Sequence, residues 1–388
     1  MQLLKEIRVL DLGGFVSGPS TAAVLASFGA DVIKVERPGT GDPFRALSPD
    51  LYSPQFQANN HNKRSITLDY SRPDGLAVFL KLVKTADVVV VNFRPGTAEK
   101  LGIGFSALKA ENPRLVYCAI TGFGPDGPYA NRPAFDHVGQ ALSGWMSRHR
   151  QNDDPRVVGP VISDRVTGYH AALAILSALH ERQGSGNGHL VEVNMLEATI
   201  AFGIEPIIQH FASGKPVPIH IRGAFSQAYS LTCKDDRRIA LHMSSPDKFW
   251  SIVCKTVERP EWVAKYPTHL DRVRGYDDIA KELVAIFRTR TRDEWMAILE
   301  KEGLPFAPEH EVQELDSDPQ IAHLEVFYEV QHPKFGTIRN AHRPSWVDRT
   351  RDIPFRPPPE LGENNDEVFK EIGLSQSEIG QLRAVGAI

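Results

Sequence analysis

Short apolar runs alternate with segments of helical period along the first half of the chain. Ile7 to Leu12 predicts a strand, Thr21 to Gly29 a helix, and Asp31-Val-Ile-Lys-Val a second strand. Ile66-Thr-Leu-Asp comes next, then a helix from about Asp74 to Lys84. Asp87-Val-Val-Val-Val is apolar without interruption, as a strand covered on both faces must be. Leu115-Val-Tyr-Cys-Ala-Ile repeats that pattern after the turn Asn112-Pro-Arg. A long helix is expected from Arg165 to Arg182, because Ala171, Ala172, Ile175, Leu176 and Leu179 recur at helical spacing. Gly184-Ser-Gly-Asn-Gly ends it and His189-Leu-Val-Glu-Val returns as a strand. Strands alternating with helices in this way predict βαβ units, hence an α/β protein built on an open, mostly parallel, Rossmann-like sheet.

After about Pro218 the texture changes. Two strand-like runs, Ala228 to Cys233 and Arg237 to Met243, precede several amphipathic helices between about Pro246 and Glu302, the pattern of a smaller α+β domain. The expected organisation is a large α/β domain over residues 1–217, a small α+β domain over 218–330, and a segment, 331–388, that returns to the large domain. Pro354-Phe-Arg-Pro-Pro-Pro-Glu can neither pair in a sheet nor continue a helix, so it is expected to cross the surface. A final helix is predicted from about Ser375 to Arg383.

Charge and composition narrow the partners. Among 388 residues, 44 Lys and Arg stand against 48 Asp and Glu, a net charge of −4, so no global basic field recruits nucleic acid or an anionic membrane. The odd set Cys118, Cys233 and Cys254 has no paired metal-type spacing, which fits buried thiols, a reducing compartment and no metal site. No apolar stretch approaches the roughly 20 residues of a membrane helix. Met1-Gln-Leu-Leu-Lys-Glu carries no signal-peptide core, which makes the cytoplasm the expected location.

Candidate chemistry sits on the loops after the predicted strands. Gly13-Gly-Phe-Val-Ser-Gly-Pro lies between a strand and a helix, where backbone amides can meet a phosphate, or where a tight turn is all that is needed. It lacks the Gly-x-Gly-x-x-Gly spacing of a dinucleotide site, which disfavours a nicotinamide oxidoreductase. Val35-Glu-Arg-Pro-Gly-Thr-Gly-Asp-Pro-Phe-Arg carries Arg37 and Arg45, either salt-bridged or presented to phosphate oxygens. Asn62-Lys-Arg-Ser and Asn92-Phe-Arg-Pro-Gly-Thr-Ala-Glu-Lys add basic turns, and several such turns on one sheet edge would form a polyphosphate groove. Asp164, at the predicted helix start Ser163-Asp-Arg-Val-Thr-Gly, reads either as a helix cap or as a rigid carboxylate nucleophile.

Taken together these motifs resemble the class III CoA-transferases of the CaiB/BaiF type, which include formyl-CoA:oxalate transferases and the related alpha-methylacyl-CoA racemases. The carrying residues are Arg8-Val-Leu-Asp-Leu with Gly18-Pro; Phe28-Gly-Ala-Asp-Val-Ile-Lys-Val-Glu-Arg-Pro with Gly41-Asp-Pro-Phe-Arg; Asn62-Lys-Arg-Ser-Ile-Thr-Leu-Asp; and Val91-Asn-Phe-Arg-Pro-Gly. Gly122-Phe-Gly-Pro-Asp-Gly-Pro, Asp164 with Thr167-Gly, Gly186-Asn-Gly-His-Leu-Val-Glu-Val and Leu361-Gly-Glu-Asn continue it over nearly the whole chain. The resemblance implies transfer of CoA from an acyl-CoA to a carboxylic acid with Asp164 as covalent nucleophile. It implies a CoA site made of Val16, Ser17, Arg37, Leu68, Asp69, Tyr70, Ser71, Asn92, Phe93, Arg94, Lys100, Ala134, Phe135 and Asp136. CoA thioester is then substrate, with no prosthetic group and no metal. An interlocked homodimer is also implied.

Two positions depart from the pattern. Phe135 precedes Asp136 where the racemases have His, so two-base chemistry at an α-carbon lacks a partner, and His137 one place later is expected to be structural. Arg222-Gly-Ala-Phe-Ser-Gln-Ala has one glycine where oxalate-using transferases have a run, which speaks against oxalate. Arg222, Gln140 and Gln227 are candidates to meet an acceptor carboxylate. A racemase and a CoA-binding protein without turnover are the competing readings.

Overall fold

A computed structural model describes residues 2–149, 154–244, 246–351 and 353–388. It divides into two compact units, one made of Met1–Ile204 with Glu325–Ile388, the other of Glu205–Leu324.

The first unit is built on six parallel strands: β1 (Arg8–Asp11), β2 (Asp31–Glu36), β3 (Lys63–Thr67), β4 (Val88–Val91), β5 (Val116–Thr121) and β6 (Leu190–Asn194). Their order is β3-β2-β1-β4-β5-β6, the doubly wound arrangement whose direction of winding reverses between β1 and β4. The helices of this unit up to residue 202 are α1 (Ser17–Ser27), α2 (Pro54–Asn60), α3 (Pro73–Val83), α4 (Thr97–Lys100), α5 (Phe105–Glu111), α6 (Asp136–Leu142), α7 (Ser163–Ser185) and α8 (Met195–Phe202). Side chains alternate across each strand. Val9, Val32, Val88 and Val90 face α1 and α7 and pack on Leu25, Ala171 and Ile175. Leu10, Ile33, Val89 and Val91 face the other way and pack on Phe79 and Leu82 of α3, and on Val368, Phe369 and Ile379 near the C-terminus.

Those last residues belong to helices Asn365–Glu371 and Gln376–Ala384, the second begun by a capping box on Ser375. The segment leading into them seals β3, the strand at the sheet edge. Asn364 Oδ1 accepts from Ser65 N at 3.0 Å and Asn365 Oδ1 from Thr67 N at 2.8 Å, while Asn364 N donates to Ser65 O at 2.9 Å. An edge left open would present these groups to other chains. The proline segment before them crosses the surface only in its first half, where Pro354 and Arg356 are exposed. Pro358 and Pro359 are buried, and their carbonyls accept from Tyr52 Oη at 2.5 Å and Arg45 Nη2 at 3.1 Å. A proline cannot donate, but its carbonyl remains an acceptor, and buried donors claim it here. A hairpin of β10 (Phe327–His332) and β11 (Gly336–Ala341) precedes this strap.

The second unit has an antiparallel sheet ordered β7 (Ala228–Thr232), β8 (Arg238–His242), β9 (Phe306–Glu309). Helices Pro246–Thr256, Tyr276–Phe287 and Arg292–Lys301 contribute to a separate core around Trp262, Trp295, Leu283 and Phe287. Both sheets match the expected α/β protein with a smaller α+β part.

Candidate active site

Ligands of doubly wound sheets bind beyond the carboxyl ends of the strands, where the winding reverses. A cavity of about 410 Å³ lies there. Its walls are the loops after β1 (Gly13, Gly14, Phe15), β2 (Arg37, Gly41, Asp42), β4 (Asn92, Phe93, Arg94) and β5 (Thr121, Gly122), closed by Ala134, Phe135, Met195 and Asp164.

The glycine turn after β1 is wired to its surroundings at almost every backbone group. Gly13 N donates to Asp11 Oδ1 (2.9 Å) and Gly14 N to Asn92 Oδ1 (3.0 Å), and Phe15 N is 3.3 Å from Asp42 Oδ1. Gly13 O accepts from Lys34 Nζ (2.7 Å) and Gly14 O from Asn92 Nδ2 (2.8 Å). The amides of Gly13, Gly14 and Phe15 are therefore taken by the protein's own side chains and are not offered to a phosphate. The charges that hold it are buried. Lys34 lies 3.0 Å from Asp42 and Lys63 2.7 Å from Asp11. Burial alone would lower the Lys34 ammonium, but Asp11, Asp42 and Glu36 outweigh it and keep it charged.

The same network corrects two expectations of basic loops. Lys63 and Arg64 are strand residues, Lys63 sealed against Asp11 and Arg64 paired with Asp31 and Glu371. Arg45 is fully buried in a bidentate pair with Glu36 (2.7 and 2.8 Å) and cannot reach a ligand. Arg37 and Arg94, by contrast, are exposed, line the cavity and have no carboxylate partner among the described residues. Arg132 joins them, its guanidinium 3.8 Å from the Tyr129 ring centre. Nothing in local spacing distinguishes Arg37 from Arg45. Only the long-range partner does.

Asp164 sits in the first turn of α7, which starts at Ser163 rather than Arg165, so it is not the cap; Ile162 holds that position without a side-chain bond. Three close contacts fix its place. Gly168 lets α7 approach α1 until a Cβ there would lie 2.3 Å from Ser20 Oγ. A Cβ on Gly139 would lie 2.2 Å from Ser163 Oγ, so α6 abuts the start of α7. Asp164 N then donates to Asp136 Oδ1 at 3.1 Å, while Gln140 binds the other Asp136 oxygen. The Asp164 carboxyl is pushed up to about 7, first by burial and then by the Asp136 charge, with the Ser17 hydroxyl and Arg165 pulling the other way. A carboxylate near half-ionisation at neutral pH is more basic, and so a better nucleophile, than a solvated one.

Of the positions expected at a CoA site, Ser17, Arg37, Tyr70, Asn92, Phe93, Arg94, Ala134 and Phe135 line this cavity with Asp164. Val16 and Leu68 are buried, Asp136 lies behind Asp164, and Asp69, Ser71 and Lys100 are not among its walls. Asp69 accepts from Ser71 Oγ at 2.5 Å. Lys34, Asp42, Thr121, Gly122, Arg132 and Met195 line it without having been singled out. Gln140 is occupied by Asp136; Arg222 and Gln227 lie in the second unit, on helix Ile221–Ser226 and just after it, Arg222 3.3 Å from Glu205 and Gln227 buried against Tyr229. Among the described residues no cluster suited to a metal ion occurs, and no helix is long and apolar enough to cross a membrane.

Residues 4–365 match CoA-transferase family III. The chain is 32% identical to a formyl-CoA:oxalate CoA-transferase of Rhodopseudomonas palustris, covering 99% of this chain and 97% of that one. It is 29% identical to the human succinyl-CoA:glutarate CoA-transferase, covering 99% and 90%. Among solved structures it is similar to Rv3272 of Mycobacterium tuberculosis (TM-score 0.82, 30% identity, 94% and 98% covered). A CaiB/BaiF family protein of Brucella suis is also similar (TM-score 0.81, 28% identity, 94% and 98% covered).

Proposed function

The chain belongs to CoA-transferase family III, and on that premise we propose that it moves coenzyme A from an acyl-CoA donor to a carboxylic acid acceptor through a covalent intermediate on Asp164. The observation that carries this reading is the placement of the Asp164 carboxyl in the same cavity as Arg37 and Arg94, two exposed cations with no carboxylate partner among the described residues. The relatives' names join an acyl-CoA to an organic acid, which supports a carboxylic acid as acceptor class.

In the first step an Asp164 oxygen attacks the thioester carbonyl carbon; the C–O bond forms, the C–S bond breaks and CoA leaves as thiolate. The thiolate attacks the Asp164 carbonyl carbon of the mixed anhydride, releasing the donor acid as carboxylate and leaving an aspartyl-CoA thioester. The acceptor carboxylate attacks that thioester and the two steps run in reverse, returning Asp164 as carboxylate. Arg37 and Arg94 hold CoA phosphates, with Tyr70, Asn92, Phe93, Ala134 and Phe135 along the same wall. The relay conserves the thioester's activation only while water is kept from each intermediate.

The homodimer belongs to the same proposal; Val138 and Leu142 on α6 and Tyr169 and Leu173 on α7, two helices in contact, are exposed apolar side chains that a second copy would cover. The deciding experiment is covalent trapping. Wild-type protein given acyl-CoA without acceptor and then hydroxylamine should yield a hydroxamate on the Asp164 peptide, absent in Asp164→Asn. A hydroxamate elsewhere, or transfer by Asp164→Asn at the wild-type rate, overturns the assignment.

A further inference from the structure

Phe15 is a bulky residue held with φ +62°. An L side chain pays a steric penalty in that region, and glycine does not. The residue is nonetheless 39% exposed, so burial does not explain the choice. The ring stands edge-on to Phe44 (5.5 Å) and to Phe135 (5.6 Å), both rings near perpendicular to it. Phe135 is followed directly by Asp136, which binds the Asp164 amide. Phe15, Phe135 and Asp164 all line the one cavity. The backbone that carries Phe15 is fixed by Gly14 on Asn92 and by Asp42, which is itself held by Lys34.

We propose that Phe15, braced by Phe135, is a water-excluding residue that decides whether the Asp164 intermediates are passed to an acid or lost to hydrolysis. The inference rests on the transferase reading and adds a residue to it. The step held back is attack of water oxygen on the Asp164 acyl carbon of the aspartyl-CoA thioester. There a C–O bond forms, the C–S bond breaks, and Asp164 carboxylate, CoA thiol and one proton result. An apolar ring in the wall of the cavity that holds Asp164 opposes this, because a water against it has no hydrogen-bond partner on that side. A merely structural Phe15 has a different signature: glycine at this φ relieves backbone strain and gives up the edge-on contacts with Phe44 and Phe135, which changes melting and leaves the partition between acid and water untouched.

The test compares wild type with Phe15→Gly and Phe15→Tyr. With acyl-CoA and an acid acceptor supplied, free CoA and new thioester are measured together by mass spectrometry. In water enriched in oxygen-18, label in the Asp164 peptide is read as well. Phe15→Gly is expected to stay folded, relief of the positive φ offsetting the lost ring contacts, yet to raise the ratio of hydrolysis to transfer by about tenfold, a barrier difference of about 1.4 kcal/mol. Label should enter Asp164 accordingly. Phe15→Tyr should restore most of the wild-type ratio. An unchanged ratio and no added label in a folded Phe15→Gly protein overturns the inference and leaves the transferase reading intact. Failure of the wild-type protein to transfer CoA to any acid overturns both.

Discussion

Replacing Asp164 by asparagine should stabilise the protein while abolishing transfer, and the gain should depend on pH in a way set by the site. The folded carboxyl titrates near 7 and the unfolded one near its ordinary 3.8. Between these values the native state binds the proton that the unfolded state has released, so stability falls as pH rises through the window. A shift of about three units corresponds to about 4 kcal/mol, and loss of a negative charge in the first helical turn returns about 0.3–1 kcal/mol. Asp164→Asn should therefore exceed wild type by about 3 kcal/mol at pH 8, by about half as much at pH 5, and by nothing near pH 3. At somewhat under 2 °C per kcal/mol for so long a chain, the pH 8 difference is about 5 °C in Tm. Thermal and urea unfolding of both proteins from pH 3 to 8, without ligand, measures it. An advantage that is absent at pH 8, or that does not shrink on acidification, would show that Asp164 is not held in a charge-averse site.

The same titration predicts that kcat/KM for the acyl-CoA donor rises with pH through about 7 and then levels, since only the ionised Asp164 attacks; a flat profile from pH 5 to 8 contradicts it. Arg37→Ala should weaken CoA binding by about 1.5–3 kcal/mol in a salt-dependent way, measurable by calorimetry, whereas Arg45→Ala should instead unfold the protein more easily because it strands buried Glu36. Gly168→Ala should cost about 1–3 kcal/mol by pushing α7 off Ser20, and Ser20→Ala in the same chain should recover part of that loss. In D2O, a 2-methylacyl-CoA should show no Asp164-dependent α-deuteration, because Phe135 supplies no second base.

The sheet was legible in the sequence because a strand covered on both faces tolerates only apolar residues, and Val88–Val91 has nothing else. The predicted helix starts were off by a few residues. Asp164 thereby lies in the first turn rather than at the cap. Strand order, and with it the meeting of four loops around one cavity, is written in no local window. The charged residues were the hardest to read. Arg45, Lys63 and Arg64 look like ligand-binding cations until Glu36, Asp11 and Asp31 are found beside them. The burial of Pro358 and Pro359 is hidden for a related reason: the rule that prolines avoid regular structure says nothing about which donors their carbonyls accept from. Phe15 left no signal at all, since a positive φ at a non-glycine residue cannot be seen in composition or period.

The sealing of β3 has a consequence for the order in which the molecule can be made. Ser65 and Thr67 leave the ribosome 299 and 298 positions ahead of the asparagines that close over them. At about 5–20 residues per second, the first half of the chain waits about 15–60 s with a bare strand edge and an apolar sheet face covered only in part, by α3 and α5. The unit from Glu205 to Leu324 is contiguous, has its own core, and can finish during that interval. The large unit thus nucleates first and is completed last, and a premature stop just before Asn364, though it removes only a short tail, should yield an aggregating product rather than a slightly weakened enzyme.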